Sequence, residues 1–193
     1  MQEYCQASST IDSDHPSIKL LAEQLSQHCE NDIQIARQCF EWVRDNIRHS
    51  NDYQLNPVTW RASDVLQFKT GYCYAKSHLL AALLRACQIP AGLCYQRLSI
   101  DDNGAPFCLH GLNAVYLRDL GWYRMDARGN KPGIDAQFTP PHEQLAFRTD
   151  LDEEMDFTEV LVEPLALVLD VLKQSSTYQE VYDNLPDAVT LIS

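Results

Sequence analysis

Gly71-Tyr72-Cys73-Tyr74-Ala75-Lys76-Ser77-His78-Leu79-Leu80-Ala81-Ala82-Leu83-Leu84-Arg85-Ala86 joins a glycine to a cysteine and then to an apolar helical run. A thiol so placed stands at a helix N-terminus, where unpaired backbone N–H groups and the positive end of the helix dipole meet. Both favour thiolate over thiol, and the thiolate is the reactive form. Leu79 to Leu84 is apolar nearly all round, the mark of a central buried helix. The helix must stop before Pro90. Cys73 is therefore a candidate nucleophile, provided a base is found elsewhere in the chain.

Upstream of this stretch the periodicity is helical. Ile18, Leu21, Leu25 and Cys29 predict a helix over Pro16 to Cys29. Ile33, Ala36, Phe40, Val43 and Ile47 predict a second, capped by Asn31 or Asp32. His49 to Thr59 reads as a loop. A short helix is expected over Ala62 to Phe68, capped near Ser63. Downstream the period changes to two. Strands are predicted from Ala91, over Phe107 to Leu117, and over Trp122 to Asp126, with Asp101-Asp102-Asn103-Gly104 as a hairpin turn. Leu165 to Leu172 and Tyr178 to Leu185 read as further helices. Helices first and an antiparallel sheet after them make an α+β architecture.

The 193 residues, 45% of them hydrophobic, suffice for one domain with a sizeable core. A net charge of −12 argues against nucleic acid or an anionic membrane as partner. Met1-Gln2-Glu3-Tyr4-Cys5-Gln6 lacks the features of a signal peptide, and no apolar run is long enough to span a bilayer. The expected location is the cytoplasm. Seven cysteines at irregular spacing contain no C-x-x-C pair, so no zinc ribbon or thioredoxin-type site is expected. All except Cys73 are expected to act as small buried hydrophobes. No metal or cofactor is expected. Residues 1–15 are polar and expected to be loose, and Asp150 to Asp156 forms an acidic run in a C-terminal extension, residues 149–193.

A thiol nucleophile needs a base, and the base an orienting group. His15 lies in the polar N-terminus and His28 ends the first helix. His49 follows the second helix, where a cation is favoured. His78 lies five residues beyond Cys73 and points about 140° away from it on the helix. His142 follows two prolines. His110 differs, because it opens the strand to Leu117, and a strand end is a rigid mount.

These blocks resemble the transglutaminase-like superfamily, a branch of the papain-like cysteine enzymes, in the form of a bacterial-type stand-alone core domain. The likeness runs from Phe40-Glu41-Trp42-Val43 through Gly71-Tyr72-Cys73 and Leu83 to Ala91. It closes on the His110 strand and Gly121-Trp122-Tyr123-Arg124-Met125-Asp126. It spans residues 32–130. The resemblance implies Cys73 as nucleophile, His110 as base and Asp126 as orienter, within a catalytic domain over residues 16–148. The C-terminal extension would pack on the same domain. Leu112, Gln88 and Gly92 depart from residues common in the family, and they bear on packing and substrate binding rather than on the triad.

His110 and Asp126 must project on one sheet face. Faces alternate with period two, so a turn of two or four residues would set Asp126 on the wrong face. A three-residue turn, Arg118 to Leu120, sets it opposite Leu112, on the face of His110. An odd turn or a β-bulge is therefore expected. The oxyanion of acyl attack would be met by the Cys73 backbone N–H, with Gln67 and Trp60 as further candidates.

The expected function is cysteine-dependent acyl transfer from a peptide or side-chain amide through a thioester, with a protein or peptide as substrate. Hydrolysis is favoured over transamidation, because a compact chain has little material to shield a thioester from water. The alternative is a binding or scaffold module on the same fold with the triad idle.

Overall fold

The computed structural model describes residues 1–191. Residues 192 and 193, the end of the expected C-terminal extension, lie outside the described residues. A short 3-10 turn, Gln2–Cys5, precedes helices α1 (Pro16–Ser26) and α2 (Asp32–Asn46). Strand β1 (Arg48–His49) leads into α3 (Ser50–Tyr53), α4 (Ala62–Phe68), β2 (Thr70–Gly71) and α5 (Cys73–Ala86). The strands β3 (Ala91–Ser99), β4 (Phe107–Leu117) and β5 (Gly121–Met125) follow. Then come β6 (Gln137–Thr139), β7 (His142–Gln144), β8 (Met155–Asp156), α6 (Ala166–Gln174) and α7 (Tyr178–Asp183). The class is α+β. The main sheet has the order β5-β4-β3-β8, with every pair antiparallel.

Helix α5 is the hub. Every residue from Cys73 to Arg85 is buried, and the helix packs on α1, α2, α4, β3 and β4. Burying Leu79, Leu80, Leu83 and Leu84 completely contributes roughly 1.5–3 kcal/mol for each side chain. Arg85 ends this apolar run yet is itself buried, because it serves three backbone carbonyls. Its guanidinium donates to Ala91 at 3.1 Å, Gln6 at 2.9 Å and Val162 at 2.6 Å.

Residues 1–15 are not loose. Ile11 is fully buried, the Tyr4 hydroxyl donates to the Val160 carbonyl at 2.8 Å, and Tyr4 packs edge-on against Trp122. This segment also supplies a cap. Helix α4 has no side-chain cap of its own, in place of the one expected near Ser63. Instead Asp12 Oδ1 accepts from the Ser63 N–H at 3.0 Å, meeting one of the free donors of the first turn. Helix α2 follows expectation, with Asn31 accepting from the Gln34 N–H at 3.0 Å.

The expected loop after α2 holds two short elements. β1 pairs in parallel with β2, Arg48 with Thr70 and His49 with Gly71, and α3 follows directly. Two-residue strands carry no readable alternation. Their pairing nevertheless brings the end of α2 beside the start of α5. Among the described residues no helix is long and apolar enough to cross a membrane.

Three residues, Arg118 to Leu120, connect β4 to β5, since Leu117 pairs with Gly121. Gly121 takes φ +78°, the left-handed conformation that closes three-residue hairpins. Asn113 pairs with Met125, so Asp126 follows opposite Leu112 and shares a face with His110. The expected odd parity is present.

Candidate active site

Cys73 is the first residue of α5. Its Sγ accepts from the Gly111 backbone N–H at 3.5 Å. A strand N–H lies in the plane of the sheet, so the thiol sits at the edge of β4. That edge is open because β5 pairs with β4 only from Asn113 onward. The close approach depends on Gly111. A Cβ there would lie 3.0 Å from Tyr74 Cδ1 and 3.2 Å from its Cα.

His110 precedes Gly111 and points to the sheet face of Leu112, which packs with Cys94 and Ala114 rather than against α5. Its Nε2 donates to Asp126 Oδ2 at 2.7 Å. Asp126 is fully buried and fixed by two backbone donors, Arg128 N–H to Oδ1 at 3.0 Å and Ala146 N–H to Oδ2 at 3.1 Å. Phe147 stands edge-on to the His110 ring at 4.9 Å. Cys73 is 7% exposed and His110 5%, so the charges here act in a largely dry setting.

Burial opposes an imidazolium at His110, but the Asp126 carboxylate and Cys73 outweigh it. The His110 pKa is pushed up to about 10. Burial also opposes ionised Asp126, yet His110 and the two backbone donors hold its carboxyl below the usual range. The arrangement keeps a proton on His110 at neutral pH, beside the sulfur of Cys73.

Cys108 lines the same cavity as Cys73. Burial, reinforced by the neighbouring Cys73, pushes its thiol up to about 12, which leaves it unreactive. The other thiols divide. Cys39 and Cys94 are fully buried, whereas Cys5, Cys29, Cys87 and Cys108 are only half-buried, so the expectation of six core cysteines holds for two. None is paired in a disulfide.

Neither side chain expected beside the Cys73 amide lies at the cavity. Gln67 is exposed on α4. Trp60 is stacked between Arg61 and Lys173, each 4.6 Å from its ring, and its carbonyl is bonded to His78 Nδ1 at 2.8 Å. The six-residue spacing from Gln67 to Cys73 is taken up by β2, which turns the chain into the cavity only after α4 has ended. His78 is a buried neutral histidine, its pKa lowered by burial to about 4.

The cavity, of about 350 Å³, brings residues from distant parts of the chain beside Cys73 and His110. His49, Arg128 and Phe147 line it, as do Tyr182 and Leu185 of the C-terminal segment. Sequence reasoning missed these. His49 was expected to be a favoured cation at a helix end. Its burial, followed by the nearby Arg128, instead drives its pKa well below the ordinary value. Arg128 engages Asp52 through both oxygens, at 2.6 and 3.0 Å. Two carboxylates of the acidic run beyond residue 149 are partnered as well. Glu154 accepts from the backbone N–H groups of Ser99, Asp150 and Leu151, and Asp156 pairs with Arg124. Among the described residues no group of three or more His, Cys, Asp or Glu side chains is arranged to hold a metal ion.

The family model of the transglutaminase-like superfamily matches residues 19–127, more than half of the chain. No curated protein matches. Solved structures do. A proposed cysteine protease of Cytophaga hutchinsonii has a TM-score of 0.53 at 23% identity, over 65% of this chain and 40% of that one. The periplasmic domain of TgpA from Pseudomonas aeruginosa has a TM-score of 0.47 at 17% identity, over 64% and 45%. Red sea bream transglutaminase has a TM-score of 0.41 at 14% identity, over 61% and 25%. The alignment thus takes in less than half of each of these proteins, and at 23% identity the likeness to the first is one of fold.

Proposed function

The chain belongs to the transglutaminase-like superfamily, and from that premise we propose that it is a cysteine-dependent acyl-transfer enzyme acting on peptide or side-chain amides. The observation that carries this reading is the contact set at one strand edge. Cys73 Sγ lies 3.5 Å from the Gly111 N–H, next to a His110–Asp126 pair at 2.7 Å.

The Cys73 thiolate adds to the amide carbonyl carbon, and the carbonyl electron pair moves to oxygen. The carbon–nitrogen bond then breaks as His110 gives its proton to the leaving amine. A thioester on Cys73 remains. Neutral His110 next takes a proton from water, and the hydroxide adds to the thioester. The carbon–sulfur bond breaks, releasing the acid and restoring the thiolate beside protonated His110. Asp126 holds the imidazole in the orientation both steps need.

Water is the favoured acceptor, which makes the enzyme a protease or amidase. The seven unpaired cysteines support work in a reducing compartment such as the cytoplasm.

Two assays run side by side test this. One follows cleavage of a peptide library, the other incorporation of a fluorescent amine into a glutamine-containing protein, each with Cys73→Ala as control. Cleavage lost in the variant is the expected result. Amine incorporation lost in the variant would make the enzyme a transamidase. Neither activity, with Cys73 alkylated no faster than an ordinary thiol, would overturn the proposal.

A further inference from the structure

With Gln67 and Trp60 away from the cavity, neither side chain expected to meet the oxyanion stands beside Cys73. His49 has the properties of such a donor. It lines the cavity that holds Cys73 and His110 and is 92% buried, at 8% exposure. Its backbone is fixed by the β1–β2 pair, opposite Gly71 and thus two residues from the nucleophile in register. Its ring packs edge-on against Tyr72, the residue before Cys73, at 5.3 Å between centroids.

The ring has a hydrogen-bonding atom to spare, because Nδ1 is buried and has no partner. The nearest carboxylate oxygen, Asp52 Oδ2, is 3.7 Å away, beyond a hydrogen bond. Both Asp52 oxygens are already committed, Oδ2 to Arg128 and Oδ1 to Arg128 and Lys131. A buried polar atom left unpaired costs about 1–3 kcal/mol. An unpaired buried polar atom calls for an explanation, and a catalytic role is one.

We infer that the His49 imidazole is a catalytic residue of this site, donating its N–H to the oxyanion that forms when Cys73 attacks a carbonyl, beside the Cys73 backbone N–H. Burial and Arg128 keep the ring neutral. A neutral donor adds no second imidazolium beside His110 and leaves the proton on His110 for the leaving group. The inference rests on the acyl-transfer reading above.

The test separates a reaction that builds an oxyanion from one that does not. p-Nitrophenyl acetate acylates a thiol through a tetrahedral oxyanion, which collapses to an acetyl thioester and p-nitrophenolate. Iodoacetamide alkylates the same thiolate by direct displacement of iodide, with no oxyanion. His49→Leu is expected to slow the p-nitrophenolate burst roughly 100-fold and to leave the alkylation rate within about twofold. His49→Gln, which keeps an N–H donor, is expected to recover at least a tenth of the burst rate. An unchanged burst in His49→Leu overturns the inference. So does a parallel loss of burst and alkylation, which would make His49 a support for the thiol alone. Absence of any Cys73-dependent burst in the unaltered protein would instead overturn the acyl-transfer reading.

Discussion

The Leu109 backbone N–H donates to the Pro186 carbonyl at 2.7 Å, tying the residue before His110 to the C-terminal segment. The Tyr72 hydroxyl, on the residue before Cys73, donates to the Tyr178 carbonyl at 2.6 Å. Arg97 then holds Asp187 through both carboxylate oxygens. The two site elements are thus braced by one segment, which begins at α7 and buries Val181 completely. A chain ending at Thr177 is expected to lose about 3 kcal/mol or more, from one buried apolar side chain and the lost hydrogen bonds. Urea unfolding measures that loss. Peptide cleavage by the shortened chain, assayed where it is still folded, is expected to fall at least tenfold. Unchanged cleavage would show that the segment does not brace the site.

Gly111 sets the distance between strand and nucleophile. The methyl group of Gly111→Ala would meet the backbone of Tyr74, with Cα at 3.2 Å and N at 3.3 Å, and a helix start cannot yield as a flexible side chain can. The strand must move outward, which lengthens the contact of the Gly111 N–H with Cys73 Sγ. The expected stability cost is about 1–3 kcal/mol, with cleavage reduced more than tenfold. Denaturant melts and steady-state kinetics on the purified variant measure both.

Asp126 acts through His110. In Asp126→Asn the carboxylate that raises the His110 pKa is gone, so the imidazole should lose its proton at a lower pH. The rate of Cys73 alkylation as a function of pH reads this directly, with its alkaline inflection moving to lower pH. Turnover is expected to fall roughly 10⁴-fold, as when the orienting aspartate of a triad becomes asparagine. An inflection that stays in place would separate Asp126 from the titration of the pair.

The long elements were legible because their signals are repetitive. The bounds expected for α4 and β4 match those observed, and the odd turn expected between His110 and Asp126 is the three-residue turn Arg118 to Leu120. What was not legible depends on contacts far apart in sequence. The order of residues 1–15 comes from Asp12 capping another helix and Arg85 gripping Gln6. His49 reaches the cavity through a two-residue strand pair. Ala146 and Phe147 reach the Asp126–His110 pair from a segment with no periodicity. Trp60 and Gln67 failed as site residues because spacing along the chain says nothing of which way α4 turns it.

Two buried bases oppose each other in the pH dependence of stability. The folded His110 pKa is about 10 against 6.5 for the free group. Its contribution is complete below pH 6.5 and is lost as pH rises through 10. Lys76 runs the other way. It is fully buried, and burial, reinforced by Arg128, lowers its pKa to about 7. Its unfolded form binds the extra proton, so stability rises from pH 7 toward 10.5 as that proton is lost. The two terms offset each other between pH 7 and 10. Urea unfolding of the unaltered protein is expected to give a shallow profile there, whereas Lys76→Met should expose a decline with rising pH. A rising profile in that variant would contradict the His110 assignment.

Arg85 ties three segments of the chain together, and its loss should destabilise the fold. Its three donors satisfy carbonyls from the N-terminal segment, the start of β3 and the C-terminal region. Burial lowers its pKa, though not enough to remove the charge in the neutral range, and Glu163 offsets part of that effect. Removing the guanidinium by Arg85→Met preserves much of the volume but strands the buried Ala91 carbonyl and frees the part-buried carbonyls of Gln6 and Val162. A buried carbonyl left unpaired costs about 1–3 kcal/mol and each further lost hydrogen bond about 1 kcal/mol, so a loss of about 3 kcal/mol is expected. Arg85→Lys should recover little of it, since an ammonium at the end of a shorter reach cannot span three separated acceptors as the planar fork does. Because residues 1–15 are anchored through Gln6, proteolysis of the Arg85→Met protein is expected to cut first within that segment. Melting temperatures of the two variants, with mass spectrometry of the early cleavage products, check both statements. A lysine variant as stable as the unaltered protein would show that charge alone, and not the three-way geometry, holds the segments together.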